Sequence, residues 1–338
     1  VAAAAGPARE QGRVMHSKHS LTTAPLGAAI EAMSRQLTAL QAQLAQLQQE
    51  QQEQLGQGLR RLEHAAGYVD RGTQLLLALK YRQLAARGHL LSFNDVEFRN
   101  YSQNGEDGIL WYIFSLIGTV NKLCVELCAG NGIECNSANL IVNHGWLGLL
   151  CDGSADNVAE GREFYATHPN TWSLPPNLQQ CWLNAENVNG IIERNGFAGE
   201  IDLLSLDIDG IDYWLWKAIE VCSPRVVMLE INAIWGCEAS VTVPYRPDFE
   251  AQKIYDQGRL VAYYCGASLP AFVKLARAKG YRLVGSNSYD FNVVFMRHDV
   301  GTEWFPEVSA ESCFTHAVAR FGHAIGRPFI ADLDWEEV

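Results

Sequence analysis

The sequence predicts an α/β protein in which a largely parallel sheet, covered by helices on both faces, ends in an antiparallel hairpin. From Phe93 onward, short apolar runs alternate with helical patterns, which is typical of parallel strands buried on both faces. Only the residues SNSYD separate the last two apolar runs, so these two strands must pair antiparallel. Before Phe93, apolar residues recur three and four apart, and this spacing predicts a helical, coiled-coil-like arm.

Each element is predicted from an apolar run or a helical spacing that turn-forming residues interrupt. The predicted strands span residues 122–128, 147–151, 178–183, 202–208, 225–231, 281–285 and 291–297. The predicted helices among them span residues 137–144, 155–166, 213–221 and 269–279, and residues 235–264 are expected to be a long loop. We therefore expect seven strands in a single sheet, over residues 93–300, followed by a tail at 301–338 that packs on this domain or on a partner.

The arm, residues 1–92, contains a long glutamine-rich helix at about 26–66 and a second helix at about 73–87. The seam of the long helix consists of Leu26, Ile30, Met33, Leu37, Leu40, Leu44 and Leu47. A seam of this kind packs on a partner helix, so residues 1–92 are expected to bind other protein subunits. A solvated low-complexity tail is the alternative.

Charge and hydropathy exclude two classes of partner. Residues 1–92 carry ten basic and six acidic side chains, whereas the remaining residues carry 16 and 32. An acidic body disfavours nucleic acid, whose binding depends on neutralised phosphates. No apolar run reaches the roughly 18 residues of a membrane span, so no transmembrane segment is expected.

The first 29 residues are rich in alanine and contain one acid, Glu10. Such a start resembles an organelle transit sequence or what remains of one, although an artificially trimmed start would look the same. We expect an organelle, in the first place a mitochondrion, with the cytoplasm as the alternative. The nine cysteines form no C-x-x-C pair, and buried free thiols are expected.

The segment CVELCAGNG combines an acid within the first strand, Glu126, with small residues at the turn that follows. Such a turn lets the backbone approach a ligand, and the next helix faces that ligand with its N-terminus. The second strand ends at Asp152, where a carboxylate can accept both hydroxyls of a ribose. These features together predict a nucleoside-binding edge.

The stretch LLSLDIDGID raises the question of whether its Asp-x-Asp-Gly is a phosphatase nucleophile of the haloacid-dehalogenase type. Ile211 stands where that motif has threonine, and the motif follows the fourth strand rather than the first. Asp207 and Asp209 fall instead at the tip of a central strand, where α/β sheets bind ligands. With Glu230 and Asn232 after the next strand, they could hold a divalent cation; capping of the following helix is the alternative.

Several segments, in order, resemble the FkbM-like branch of the class I S-adenosylmethionine-dependent methyltransferases: YSQNGEDGIL, VELCAGNGIECNSANL, GWLGLLCDGS, DLLSLDIDGIDYW, VVMLEIN and CGASL. The similarity extends from about Arg99 to Asp299 and leaves residues 1–92 outside. It implies a class I methyltransferase (Rossmann-like) seven-stranded sheet with a terminal antiparallel hairpin.

The resemblance also implies functional residues. The turn after the first strand would bind the methionine part of S-adenosylmethionine through Glu126, Ala129, Gly130 and Gly132. Asp152 would bind the ribose. Asp207 and Asp209 would be the catalytic residues, at the place where cofactor and substrate meet.

Two departures from the family pattern bear on the cofactor. Cys128 replaces the first glycine of the turn and Asn131 replaces its aspartate. A side chain at position 128 can obstruct the cofactor or force an unfavourable backbone angle. We therefore expect an accessory or structural subunit of a larger complex with weakened cofactor binding; the alternative is an active S-adenosylmethionine-dependent O-methyltransferase.

Four further side chains carry expectations from their positions. Asp107 begins the helix that follows SQNGED and is expected to cap it. His144 ends a helix, where a cation interacts favourably with the helix dipole. Tyr263 and Tyr264 are expected beside the substrate.

Overall fold

The computed structural model of the chain describes residues 67–338, together with residues 38, 40, 41, 43, 44 and 46. Those six earlier residues are helical and exposed. The remainder of the predicted long helix and the first 29 residues lie outside the described residues, so the coiled-coil arm stays a prediction. Over the part that the structure describes, no helix has the length and apolar character needed to cross a membrane.

Seven strands form the central sheet. They are β1 (Leu123–Leu127), β2 (Leu147–Asp152), β3 (Asn177–Gln180), β4 (Gly199–Leu206), β5 (Cys222–Glu230), β9 (Tyr281–Ser286) and β10 (Asn292–Arg297). Their order across the sheet is β3-β2-β1-β4-β5-β10-β9. The strands β1 to β5 are parallel to one another, whereas β10 is antiparallel to both β5 and β9. This order and the reversed β10 confirm the predicted class I methyltransferase (Rossmann-like) fold.

Residues 67–338 contain eight α-helices. They are α1 (Arg71–Ala85), α2 (Glu106–Ile117), α3 (Ala138–His144), α4 (Ala155–Thr167), α5 (Val188–Arg194), α6 (Asp212–Ala218), α7 (Leu269–Ala278) and α8 (Ala317–Ile330). The core has two large clusters, one with α1 to α4 and the other with α5 to α7. Strand β4 supplies both clusters, with Leu203 in the first and Leu204 in the second. Alternate side chains of a strand point to opposite faces, which explains why the central strands are apolar throughout.

The compact body begins at Gly67 and not at residue 93, where the sequence analysis placed the domain boundary. Helix α1 packs on α2, and its Gln74 is completely buried. The Gln74 side chain bonds Asn139 and His144, and the indole of Trp111 donates to the Gln74 carbonyl at 2.6 Å. Contacts between buried polar side chains leave no mark on the apolar pattern of a sequence. The sequence therefore predicts α1 as part of the arm.

Residues 235–264, which the sequence predicts to be a long loop, contain three strands. The strands β7 (Gln252–Asp256) and β8 (Arg259–Tyr264) form a hairpin. Gln257 and Gly258, between them, have φ values of 45° and 77°, as in the tight hairpin turns that match the twist of the strands. Two short strands, β6 (Val241–Thr242) and β11 (Glu336–Glu337), also pair.

Candidate functional site

The carboxyl ends of β1, β2, β4 and β5 lie at the same edge of the sheet because these strands are parallel. The residues at or just beyond these ends are Cys128, Asp152, Asp207 and Glu230. Two cavities open at this edge, and Asp209 lines both of them. The predicted sites after β1, β2, β4 and β5 therefore converge on one region.

The turn after β1 adopts left-handed backbone conformations. Cys128 has φ of 67°, and Gly130 and Gly132 have φ of 56° and 69°. A left-handed conformation is costly for a residue with a Cβ and nearly free for glycine. The expected unfavourable angle at Cys128 is therefore present in the structure.

Glu126 supports the turn and does not line either cavity. Its buried carboxylate accepts hydrogen bonds from the backbone N–H groups of Asn136 at 2.8 Å and Ser137 at 2.7 Å. It thereby satisfies donors just ahead of α3 that would otherwise be buried without a partner. The predicted cofactor residue Glu126 thus holds the polypeptide around the site.

The rest of the turn is fixed by its own backbone and by its neighbours. The Ala129 N–H donates to the Cys151 carbonyl at 2.8 Å, and the Asn131 side chain accepts from Ile133 and Glu134. A Cβ at Gly132 would come within 3.0 Å of Leu150. Asn131 therefore closes the turn locally, a role that its short polar side chain suits.

Asp152 is buried, and one of its two carboxylate oxygens, Oδ2, is available to accept a hydrogen bond from a ligand. Its Oδ1 accepts from the Ser154 N–H at 2.8 Å and from the Asn157 side chain at 3.1 Å. Among the described residues, the Cys128 thiol at 3.9 Å is the one hydrogen-bonding group near its Oδ2. A buried carboxylate oxygen with so weak a partner suits a hydroxyl donor from a ligand.

The first cavity, of about 190 Å³, combines this carboxylate with apolar walls. Cys128 and Asp152 line one side, and Trp182, Ile208 and Phe249 are among the apolar residues of the others. Burial, and then the charges of nearby aspartates, raise the pKa of the Cys128 thiol. The sulfur is therefore a neutral group on the cavity wall.

Three carboxyl groups meet at the tips of β4 and β5. One ligand atom each of Asp207, Asp209 and Glu230 lies within 4.8 Å of the others. Burial, and then the charges of Asp212 and Asp209, raise the pKa of Asp207 to about 7. Burial and the neighbouring Asp207 also hold the pKa of Glu230 well above its ordinary value. The carboxyl groups of Asp207 and Glu230 lie close together, so they are placed to share a proton near neutral pH.

Asp212 fixes the loop that carries the two predicted catalytic aspartates. Its buried carboxylate accepts from the Ile208 N–H at 2.8 Å and the Gly210 N–H at 2.9 Å. Asp209, between these two residues, is exposed and has φ of 53°. No side chain caps helix α6, so the alternative role of Asp207 and Asp209 as caps is not seen. Asp209 lines both cavities, and Asp207 lies beside it.

Asn232 lines the second cavity together with Asp209 and Glu230, and its side chain is hydrogen-bonded within the protein. Its amide donates to the carbonyls of Tyr263 and Cys265, and its oxygen accepts from the Ile234 N–H at 3.1 Å. The two bonds from the amide tie the chain after β5 to Tyr263 of strand β8 and to Cys265 just beyond it. Asp207, Asp209 and Glu230 are the predicted ligands whose oxygens are seen to lie close together, and a ligand role for Asn232 stays a prediction.

The second cavity is larger, about 470 Å³, and lies beside the carboxyl groups. Asp209 and Glu230 line it, as does Tyr263, one of the two tyrosines expected beside a substrate. The other, Tyr264, is buried and donates to the Asp334 carbonyl. Because side chains alternate along β8, only one of these adjacent tyrosines can face the cavity.

Several lining residues were not predicted from the sequence. Trp182 and Phe249 line the first cavity and Val318 lines the second. Trp182 follows β3, and its position after a strand of the sheet was the available signal. Phe249 and Val318 come from segments outside the sheet, so the order of strands gives no indication of them.

Asp107 and His144 do not have the roles that their positions in the sequence predict. Asp107 bonds the loop before α2, with its Oδ2 accepting from the N–H groups of Asn100, Tyr101 and Ser102. His144 is not the expected cation, because burial lowers its pKa to about 3. The Lys122 ammonium donates to the His144 carbonyl at 3.0 Å and supplies the charge at this helix end.

Comparison with known proteins gives likenesses of fold. No family model matches the chain, and no curated protein matches it. Magnesium protoporphyrin IX methyltransferase from Synechocystis PCC 6803, solved with bound S-adenosylmethionine, is 13% identical over 57% of this chain and 77% of its own, with a TM-score of 0.34. An S-adenosylmethionine-dependent methyltransferase from Clostridium acetobutylicum is 12% identical over 65% and 97%, with a TM-score of 0.38.

A methyltransferase from Streptomyces caelestis is 14% identical over 58% of this chain and 90% of its own, with a TM-score of 0.36. All three identities are low and all three superpositions are partial. The assignment of the fold therefore depends on the order and direction of the strands in the sheet.

Proposed function

We propose that this protein is an S-adenosylmethionine-dependent methyltransferase that methylates an oxygen atom of its acceptor. The supporting observation is the pair of cavities that adjoin at Asp209, at the carboxyl edge of the sheet. One cavity has the features of a nucleoside site and the other presents carboxyl groups. A transfer reaction needs two binding places that meet where the reacting atoms lie.

The residues of the first cavity suit an adenosyl group. Asp152 offers Oδ2 to ribose hydroxyls, and Trp182 and Phe249 offer apolar surface to a base. A Cβ at Gly130 would find no heavy atom within 4 Å, so the backbone of the turn is open to a ligand there. S-adenosylmethionine, when bound, supplies a methyl group attached to a positively charged sulfur.

Asp207 and Glu230 suit proton transfer from the acceptor. A hydroxyl becomes a better nucleophile as it loses its proton, and a base works best with a pKa near the ambient pH. Asp207 has a pKa of about 7, and Glu230, whose carboxyl group lies beside it, lines the second cavity. We assign the removal of the acceptor's proton to this pair of carboxyl groups.

The first prediction is that Asp152→Asn weakens S-adenosylmethionine binding at least about tenfold, because loss of a charge-assisted hydrogen bond to ribose costs roughly 1.5–3 kcal/mol. Isothermal titration calorimetry measures the dissociation constant. Asp156→Asn, which alters an exposed acid in the first turn of helix α4, is the matched control and should bind as the wild type does. If the wild type shows no binding at millimolar ligand, the methyltransferase proposal is defeated.

A second candidate is the accessory subunit, in a larger and possibly mitochondrial complex, that the sequence analysis favoured. The observation for it is the Cys128 side chain, which stands on the wall of the first cavity at a position that the FkbM-like pattern gives to glycine. Removal of residues 1–66 tests attachment. Unchanged co-purification with other proteins after this deletion would count against the subunit.

The divalent cation predicted at Asp207, Asp209, Glu230 and Asn232 also stays a prediction. A cation there would relieve the mutual repulsion that raises the pKa of these groups. Titration with Mg²⁺ in the calorimeter tests it, with Asp209→Asn as the variant that should lose binding.

A further inference from the structure

The outer face of helix α8 carries large apolar side chains. Val318, Phe321, Ile325 and Phe329 are 49%, 67%, 43% and 41% exposed. The inward face has small residues, Ala319 and Gly326 among them, and a Cβ at Gly326 would come within 2.7 Å of the Val261 carbonyl. A surface helix ordinarily turns its large apolar residues inward. In α8 Ile330 is buried, whereas these four large apolar side chains are exposed.

This apolar stripe is continuous with the second cavity. Val318, the first residue of the stripe, lines the cavity, and so do Leu260 and Tyr263 of strand β8. Leu260 and Tyr263 are themselves 43% and 38% exposed. The apolar wall of the cavity therefore reaches the surface beside α8, and Val318 to Phe329 extend it by about 16 Å along the helix axis.

We infer that the acceptor is an amphiphile, with its hydroxyl at the carboxyl groups and a long hydrocarbon chain lying on the stripe. This inference rests on the proposed function. A ligand that reaches Asp209 and Glu230 through this opening passes Val318 and Leu260, so its outer part contacts the stripe. A small polar acceptor would leave that surface exposed to water, where a large apolar patch has no structural benefit.

The test uses hexyl, octyl and decyl β-glucosides, each below its micelle concentration, and measures binding to the full chain without S-adenosylmethionine. Each added methylene should tighten binding about two- to fourfold, as apolar burial does. The double variant Val318→Ser and Phe321→Ser should flatten this dependence. The control, Val120→Ser and Trp172→Ser, alters two residues that are 61% and 66% exposed near the opposite edge of the sheet and should keep it.

Three results would overturn the inference. One is an affinity that does not change with chain length. Another is a flat dependence together with co-sedimentation on phosphatidylcholine vesicles, which would assign the stripe to a bilayer surface. The third is an unchanged dependence in the Val318/Phe321 variant while sedimentation shows loss of a dimer, which would assign the stripe to a second copy of the chain. Binding of S-adenosylmethionine, measured separately, decides the proposed function independently of these outcomes.

Discussion

Cys128 has a backbone conformation that ordinarily belongs to glycine, and its side chain stands where a cofactor would approach. Cys128→Gly should raise the free energy of unfolding by up to about 1 kcal/mol, because the left-handed conformation no longer carries a Cβ. It should also strengthen S-adenosylmethionine binding several-fold. Chemical denaturation and calorimetry measure the two effects.

Gln257→Gly is the matched control for this prediction, since Gln257 also has positive φ but lies in the β7–β8 turn. It should gain stability without any change in affinity. Equal affinities for the wild type and Cys128→Gly would show that the sulfur does not obstruct the ligand.

Asp207 connects stability and activity to pH. Its pKa in the folded protein is about 7, against an ordinary 3.8, so the folded chain keeps this proton to a higher pH than the unfolded chain does. Wild-type stability should therefore fall as pH rises from about 4 to about 7, with Asp207 contributing on the order of 3–4 kcal/mol. Asp207→Asn should show a smaller fall, because the raised pKa of Glu230 contributes to it as well, and it should also abolish methyl transfer.

Denaturation curves at several pH values measure the effect of Asp207, with Asp156→Asn as the control that keeps the wild-type profile. Parallel curves for Asp207→Asn and the wild type would refute the assignment of the shifted group.

Some site residues could be placed from the order of the strands alone, whereas the roles of others depend on contacts with distant parts of the chain. The positions of Asp152, Asp207 and Glu230 follow from strand order alone, because parallel strands end at one edge. The role of Glu126 depends on the path of the chain before α3, and that of Asn232 on strand β8. Neither set of contacts is encoded in the local sequence, so these structural roles of Glu126 and Asn232 could not be predicted from it.

At the scale of elements, helix α4 packs directly against the turn after β1. A Cβ on Gly161 would lie 2.2 Å from the Asn131 carbonyl oxygen and 2.4 Å from Leu178. Gly161→Ala should therefore lower the free energy of unfolding by about 1–3 kcal/mol through overpacking. It should also weaken S-adenosylmethionine binding, because the turn must move.

Gly322→Ala in α8 is the control for Gly161→Ala, since the nearest atom to its Cβ would be Ile234 at 3.9 Å. Higher helix propensity should stabilise this variant by about 0.5–1 kcal/mol. A gain in stability for both variants in thermal denaturation would contradict the close packing of α4 on the turn.

The sheet and its flanking helices α3 to α7 could be predicted, with the exception of α5, because their apolar residues repeat with the period of each element. Strands such as β4 are apolar on both faces and are bounded by polar residues. Helix α8 was not predicted, since its small residues pack inward and most of its large apolar residues face outward. The β7–β8 hairpin was missed because most of its side chains are exposed, which leaves little apolar alternation.

For the whole molecule, the boundary at Gly67 predicts the effect of two truncations. Removal of residues 1–66 should leave the melting temperature of the remaining body within a few degrees of the wild type. Removal of residues 1–92 also deletes α1, with the buried Ala78 and Tyr81 and the Gln74 hydrogen bonds. That truncation should cost at least about 3 kcal/mol of stability. Calorimetric unfolding compares the two, and equal melting temperatures would place the boundary at residue 93 after all.

Asp209 is the residue that the two cavities have in common, and it lies on a strained stretch of backbone. Any ligand that shifts this residue changes the surroundings of the neighbouring ligand. Thermodynamic linkage makes such an influence mutual: the factor by which the donor alters acceptor affinity equals the factor by which the acceptor alters donor affinity. Under the proposed function, binding of S-adenosylmethionine and binding of the acceptor should therefore alter one another's affinity through a single side chain.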